Sequence, residues 1–114
     1  MNEHPGSLLL QKLDALERRH HVLLSDEKRR RLEGLDALVE KWNRAISLVG
    51  FRKEEDRIDR YFIEALHSSL WLPAEGQAVD VGSGGGTPVL PLAIQNPHIQ
   101  WTLLEPNQRK ALFL

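Results

Sequence analysis

Four glycines fall within five positions in Gly82-Ser83-Gly84-Gly85-Gly86. An apolar run carrying Asp80 comes just before them, and "TPVLPLAI" follows. Glycine adopts backbone conformations, and tolerates close approaches, that a Cβ forbids. Such a turn suits a phosphate, a nucleoside, or nothing more than a bend. A P-loop would end in Gly-Lys-Ser/Thr, and no lysine stands here. A dinucleotide fingerprint needs a third glycine three residues after its second. Thr87 holds that place, which disfavours a nicotinamide-dependent oxidoreductase. What fits is a G-x-G-x-G turn after a strand that carries Asp80 near its carboxyl end. A second apolar run ends in Glu105, 23 residues after Gly82. A carboxylate there can accept two hydrogen bonds from a ribose diol.

These residues need strands to hold them. "QAVDV" reads as a short apolar strand running into the glycines, and "IQWTLLE" as a second. Between them, "TPVLPLAIQN" is helical if Pro88 and Pro91 fall in its first turn, where no amide donor is required. "PNQRKALFL" starts another helix with Pro106 near its first position. The order strand, helix, strand, helix implies a parallel pair with a right-handed crossover. Upstream the period changes to helical. Leu9, Leu13 and Leu16 mark a short amphipathic helix. Ser25 is an N-cap for a longer one, with Asp26 and Glu27 in its first turn. Leu32, Leu35, Leu38/Val39, Trp42, Ile46 and Val49 form its apolar stripe, and Gly50 is placed to close it. A third helix spans about 54–70, with Ile58, Phe62, Ala65 and Leu66 inward. Residues 1–72 thus form a helical region, and 73–114 the start of an α/β domain.

The chain has 114 residues, enough for one small domain. It has no cysteine, which excludes disulfides and thiolate metal sites. Its five histidines lack ligand-like spacing, and no metal site is expected. The N-terminus does not read as a secretory signal, and no apolar run approaches the ~20 residues needed to span a bilayer. The cytoplasm is the expected location. Residues 1–60 hold 13 of the 15 Lys+Arg and 12 of the 16 Asp+Glu. That asymmetry suggests charged helices outside a buried parallel sheet. Lys28, Arg29, Arg30 and Arg31 occupy consecutive helical positions, so they spread around the helix. With Arg18 and Arg19 they could touch RNA phosphates, against the plainer reading of a solvated helix face. Trp42, Trp71 and Trp101 each lie in apolar patterns and are expected in the core.

The glycine turn with acids at two strand ends is the arrangement of S-adenosylmethionine-dependent methyltransferases. From about Leu35 onward the chain resembles one family of them, the bacterial small-subunit ribosomal RNA (guanine-N7) methyltransferases (RsmG, or GidB). The resemblance is carried by "KWNRAISLVGFRKEEDRIDRYFIEAL", by "VDVGSGGGTPVLPLAI" with its second proline Pro91, and by "WTLLEPNQRKALFL" with the basic pair Arg109-Lys110. It implies the first βαβ unit of a class I, Rossmann-like methyltransferase fold behind N-terminal helices. S-adenosyl-L-methionine is the implied cofactor, and small-subunit ribosomal RNA the implied partner. Carried over, Gly82, Ser83, Gly84, Gly86 and Thr87 would form or flank the cofactor loop. Glu105, where the family commonly has Asp, would hold the ribose, and Asp80 would sit beneath the methionine end. No catalytic group is implied.

The sequence departs from the family where Ser47-Leu48-Val49 replaces Asn-Leu-Thr. It departs again where Tyr61, Glu64 and Ala65 replace the polar residues of a His-x-x-Asp-Ser pattern. Those polar positions are expected to serve the RNA side. The family's sheet has seven strands, whereas this chain reaches only the second and the start of its helix. The expectation is therefore a truncated fold, inactive alone and able to self-associate through the open edge of its first strand. The rival is a non-catalytic helical RNA- or ribosome-binding module with a relict glycine loop.

Overall fold

The computed structural model describes residues 7–51 and 53–114. Most of the N-terminal stretch that argued against a secretory signal, residues 1–6, lies outside the described residues. Two long helices come first, α1 (Leu8–His20) and α2 (Asp26–Ile46). A continuous helical stretch follows: α3 (Glu54–Arg57), a π-helix (Ile58–Ile63), α4 (Glu64–Ser68) and a 3₁₀ turn (Ser69–Trp71). Then come β1 (Gly76–Val81), α5 (Val89–Gln95), β2 (Ile99–Leu104) and α6 (Gln108–Phe113). The two strands are parallel, in register from Gly76 opposite Ile99 to Val81 opposite Leu104. The chain is α/β, helices followed by a β–α–β unit, as the sequence implies. No helix among the described residues is long and apolar enough to cross a membrane.

The helix starts follow their caps. Ser7 and Ser25 accept from the amides of Leu10 and Lys28, both at 3.2 Å. The end of α2 differs from expectation. Ser47, in the left-handed region at φ 52°, stops the helix three residues before Gly50. Its amide donates to the Asn43 carbonyl, and the Asn43 side chain takes the Val49 amide at 2.7 Å. Asn43 therefore satisfies two of the amides that leave the helix, and Leu48 turns into the core. At α6 the cap is Asn107, which accepts from the Lys110 amide, so Pro106 stands before the helix and not in its first position.

The π-helix has a cause in the sequence. The inward pairs Arg57/Ile58, Tyr61/Phe62 and Ala65/Leu66 repeat every four residues, and all six are buried. An α-helix turns every 3.6 residues and would carry such a series off the face. A wider turn, with Glu64 N–H bonded to Asp59 O, keeps the pairs on one side. Leu13, Leu32, Ile58, Phe62 and Leu66 are fully buried there. Each contributes on the order of 1.5–3 kcal/mol of burial free energy.

Two expectations about burial fail. The sheet is covered on one face only. Gln77, Val79, Val81, Gln100, Thr102 and Leu104 point to the other face and are exposed, Val81 at 79 %. The helices bury their apolar stripes chiefly against one another and against α5, and no described residue covers that second face. Trp71 is also outside the core, 74 % exposed at the end of the 3₁₀ turn, beside the His67 ring. Trp42 and Trp101 are half-buried, Trp42 edge-on to Phe113.

One ion pair is set into this core. The Arg57 guanidinium grips Asp36 of α2 with two hydrogen bonds, 2.7 and 3.2 Å, and both side chains are largely shielded. That pairing raises the Arg57 pKa further, against the opposing effect of burial. Removing one partner of a shielded pair strands the other. Asp36→Ala is expected to lower stability by roughly 3 kcal/mol, read as a drop in the urea midpoint at unchanged slope. A loss below about 0.5 kcal/mol would show that the pair behaves as an exposed one.

Candidate functional site

The glycine turn begins where β1 stops. The amides of Gly82 and Ser83 both donate to the Leu104 carbonyl, at 2.7 and 3.1 Å, so the turn is pinned to the carboxyl end of β2. Ser83 is buried and its hydroxyl donates to the Asp80 carbonyl at 3.2 Å. Asp80 itself is half-buried at the end of β1. The Gly86 amide closes the turn on Ser83 O at 2.9 Å, and Leu90 N on Gly86 O then opens α5.

The glycines divide by what surrounds them. A Cβ on Gly82 would meet nothing within 4 Å, and one on Gly84 only the Gly82 carbonyl at 3.8 Å. Both have positive φ, 71° and 58°, and both face open space, the direction from which a ligand can approach the bare backbone. Gly85 is the reverse. A Cβ there would lie 2.8 Å from the Leu48 carbonyl and 2.5 Å from a Val49 methyl. At Gly86 it would strike Leu90 and the Tyr61 hydroxyl. The turn therefore has a packed back wall and an open front.

Glu105 lies at the front. One carboxylate oxygen accepts from the Gly84 amide at 2.5 Å, the other from Asn107 N–H at 2.9 Å. These bonds, the Asn107 one foremost, hold its pKa below the ordinary glutamate value, with Lys110 adding a favourable charge. Two residues 21 apart in sequence thus meet across the strand ends. Thr87 faces another way: its hydroxyl donates to the Tyr61 carbonyl at 2.8 Å. The structure gathers Asp80, Gly82, Ser83, Gly84, Gly86, Thr87 and Glu105 into one turn and its strand ends.

Tyr61 is the residue that sequence reasoning misplaced. It is no surface group on the RNA side. It is fully buried, and its hydroxyl donates to the Gly85 carbonyl at 2.6 Å. Burial, with the Asp36 charge behind it, pushes its pKa well up, so the phenol stays a donor. Its place in the four-residue inward period was the available signal. Of the other departures, Glu64 and Ser47 are exposed, Ala65 is buried, and Val49 is half-buried against Gly85. An open cleft of about 560 Å³ lies between Asn43, residues 47–51 and Lys110. The basic run is largely occupied within the fold. Arg29 pairs with Asp14 and Glu17 of α1, Lys28 bonds the Gln95 carbonyl, and Arg31 pairs with Glu27. No group of three or more His, Asp or Glu among the described residues is placed to hold a metal.

A glycine turn opening beyond the carboxyl ends of parallel strands is the ligand-binding geometry of open α/β folds. Comparison with known proteins narrows the class. The family model GidB, described as rRNA small subunit methyltransferase G, matches residues 28–114. The chain is 38% identical over 94 residues to the ribosomal RNA small subunit methyltransferase G of Marinobacter nauticus, covering 82% of this chain and 44% of that protein. Identity to the protein of that name from Pseudomonas entomophila is 39% with the same coverage. To that from Glaesserella parasuis it is 33% over 106 residues, 93% of this chain and 52% of the relative. The chain belongs to the GidB family of small-subunit ribosomal RNA methyltransferases, and it spans about half the length of the curated relatives it matches.

The Glu105 bond to Gly84 has a pH signature. A carboxylate whose folded pKa is depressed contributes above its unfolded value, and that contribution is lost as pH falls through the folded one. The Gly84 amide proton resonance is therefore expected to titrate with a midpoint below about 4.3, the ordinary glutamate value. A midpoint at or above it would show that the carboxylate does not hold the turn.

Proposed function

We propose that the chain supplies the cofactor-loop half of an S-adenosylmethionine-dependent methyltransferase acting on guanine N7 of small-subunit ribosomal RNA, in the cytoplasm. The observation that carries this reading is the meeting of Glu105 with the open front of the Gly82–Gly84 turn. The residues present suit a nucleoside cofactor. The turn offers bare backbone with room for a ligand, and Glu105 keeps lone pairs free to accept from a ribose diol after bonding Gly84 and Asn107. Family membership adds the reaction class, because the relatives bear the name of a ribosomal RNA methyltransferase.

The cofactor would supply a methyl group on a sulfonium centre. N7 of guanine already carries a free lone pair, so the protein has no proton to remove from the nucleophile. Its work is to hold both reactants in line and exclude water. That accords with a site built from a glycine turn and a diol-binding acid. The described residues line one side of such a site, so residues 1–114 alone should bind the cofactor weakly and show no turnover. A non-catalytic RNA-binding helical module draws less support, because Lys28, Arg29 and Arg31 have partners within the fold.

In the intact protein, Glu105→Ala is expected to weaken S-adenosylmethionine binding by roughly ten- to a hundredfold, as for the loss of hydrogen bonds to a charged group, measured by titration calorimetry. Unchanged affinity would remove Glu105 from the site; a collapsed thermal transition would make its role structural. The sheet adds a second expectation. Val79 and Val81 lie exposed on a two-stranded sheet, and such edges and faces recruit further chain. Purified residues 1–114 are expected to show more than monomer mass by light scattering. A monomer at high concentration would exclude self-association through this sheet.

A further inference from the structure

Three peptide units form the tip of the glycine turn. The Ser83–Gly84 unit is held from the front, where its N–H meets Glu105. The Gly85–Gly86 unit is held from behind. Its carbonyl accepts from Tyr61, and its N–H closes on Ser83 O. Between them, the Gly84–Gly85 unit bonds no described residue; it joins Gly84, which faces open space, to Gly85, which packs on the back wall. Its N–H and C=O are the groups of the tip that the fold leaves without a partner among the described residues, and the two neighbours that are held constrain its orientation.

Tyr61 reaches the turn from the π-helix, at 0 % exposure. Its ring packs beside Phe62, and the Thr87 hydroxyl returns a bond to its carbonyl at 2.8 Å. The side chain of each residue thus holds the main chain of the other segment. A phenylalanine would fill the same space and lose one donor, leaving the Gly85 carbonyl without it.

We propose that Tyr61 is a positioning residue: acting through the Gly85 carbonyl, its hydroxyl fixes the Gly84–Gly85 peptide in the orientation that the bound nucleoside reads. The proposal rests on the cofactor reading above. It assigns a role to a residue that touches neither cofactor nor substrate, at a position where the sequence departs from its family.

The test uses Tyr61→Phe in the intact protein with two readouts. Amide hydrogen exchange is measured in the turn and in α2, and S-adenosylmethionine affinity by calorimetry. Exchange at the bonded amides of Gly84 and Gly86 should rise while α2 keeps its wild-type rates, and Kd should rise about tenfold, the upper range for one neutral hydrogen bond. Unchanged turn exchange overturns the proposal, and so does faster exchange with wild-type Kd. If the wild-type protein binds no cofactor, the reading on which the proposal rests fails first, and the failure is visible without the variant. If Tyr61→Phe also loosens α2, Phe62→Leu serves as the packing control, because it disturbs the same helix and keeps the Tyr61 hydroxyl. A loss of affinity confined to Tyr61→Phe then supports the clamp, and an equal loss in Phe62→Leu overturns it.

Discussion

Gly85 has no room for a side chain, and much of the site follows from that. The main chain of the turn presses directly on the Leu48 carbonyl and the Val49 methyls. Those residues stand where they do because α2 stops at Ser47 and Asn43 takes the Val49 amide. The end of a helix therefore forms the back wall of the glycine turn. With its back fixed, the turn can present Gly82 and Gly84 forward, and Glu105 can close on Gly84 from the far strand. The helical region and the β–α–β unit meet at this contact, which explains why a loop rich in flexible residues holds one shape.

A second device keeps the wall from moving. The continuous helical stretch sets Arg57, at the end of α3, against Asp36 of α2, and Tyr61, one turn on in the π-helix, under the glycine turn. The hydroxyl of Tyr61 adds a directional bond where Leu and Phe side chains give only contact. Packing alone would fix how close the turn comes; the hydrogen bonds fix which way its peptides point.

The elements were legible where local chemistry decides them. Ser25, the Leu9/Leu13/Leu16 spacing, the glycines after "QAVDV" and the acid after "IQWTLL" all sit where the sequence implies. Pro88 and Pro91 fall at the start of α5, where missing amides do no harm. What was not legible depends on contacts between distant residues. Gly50 is the stronger helix stop by residue type, yet Ser47 ends α2, because an asparagine side chain four residues earlier holds the outgoing strand of chain. Trp71 sits in an apolar pattern, but the 3₁₀ turn rotates it outward. Tyr61 stands where the family has a polar residue, at a position expected to serve the RNA side. Only the fold shows that its partner is a backbone carbonyl 24 residues away. The division of the glycines was hidden for the same reason: in the sequence Gly84 and Gly85 are equivalent, and in space one faces open space and the other a wall.

On the proposed cofactor reading, Glu105 would join two roles. An aspartate, common there in the family, is one methylene shorter. Here a single glutamate carboxylate bonds Gly84 across the strand ends and Asn107 at the start of α6 together. A carboxylate has about four lone-pair sites, and two of them are occupied by these amides. The two that remain are the number a ribose diol requires. Latching the turn and receiving a sugar therefore do not compete for the same lone pairs. The amide bonds also keep the group ionised, the state in which it accepts most strongly. The residue that orders the turn is thereby left in the charge state suited to bind what the turn would hold.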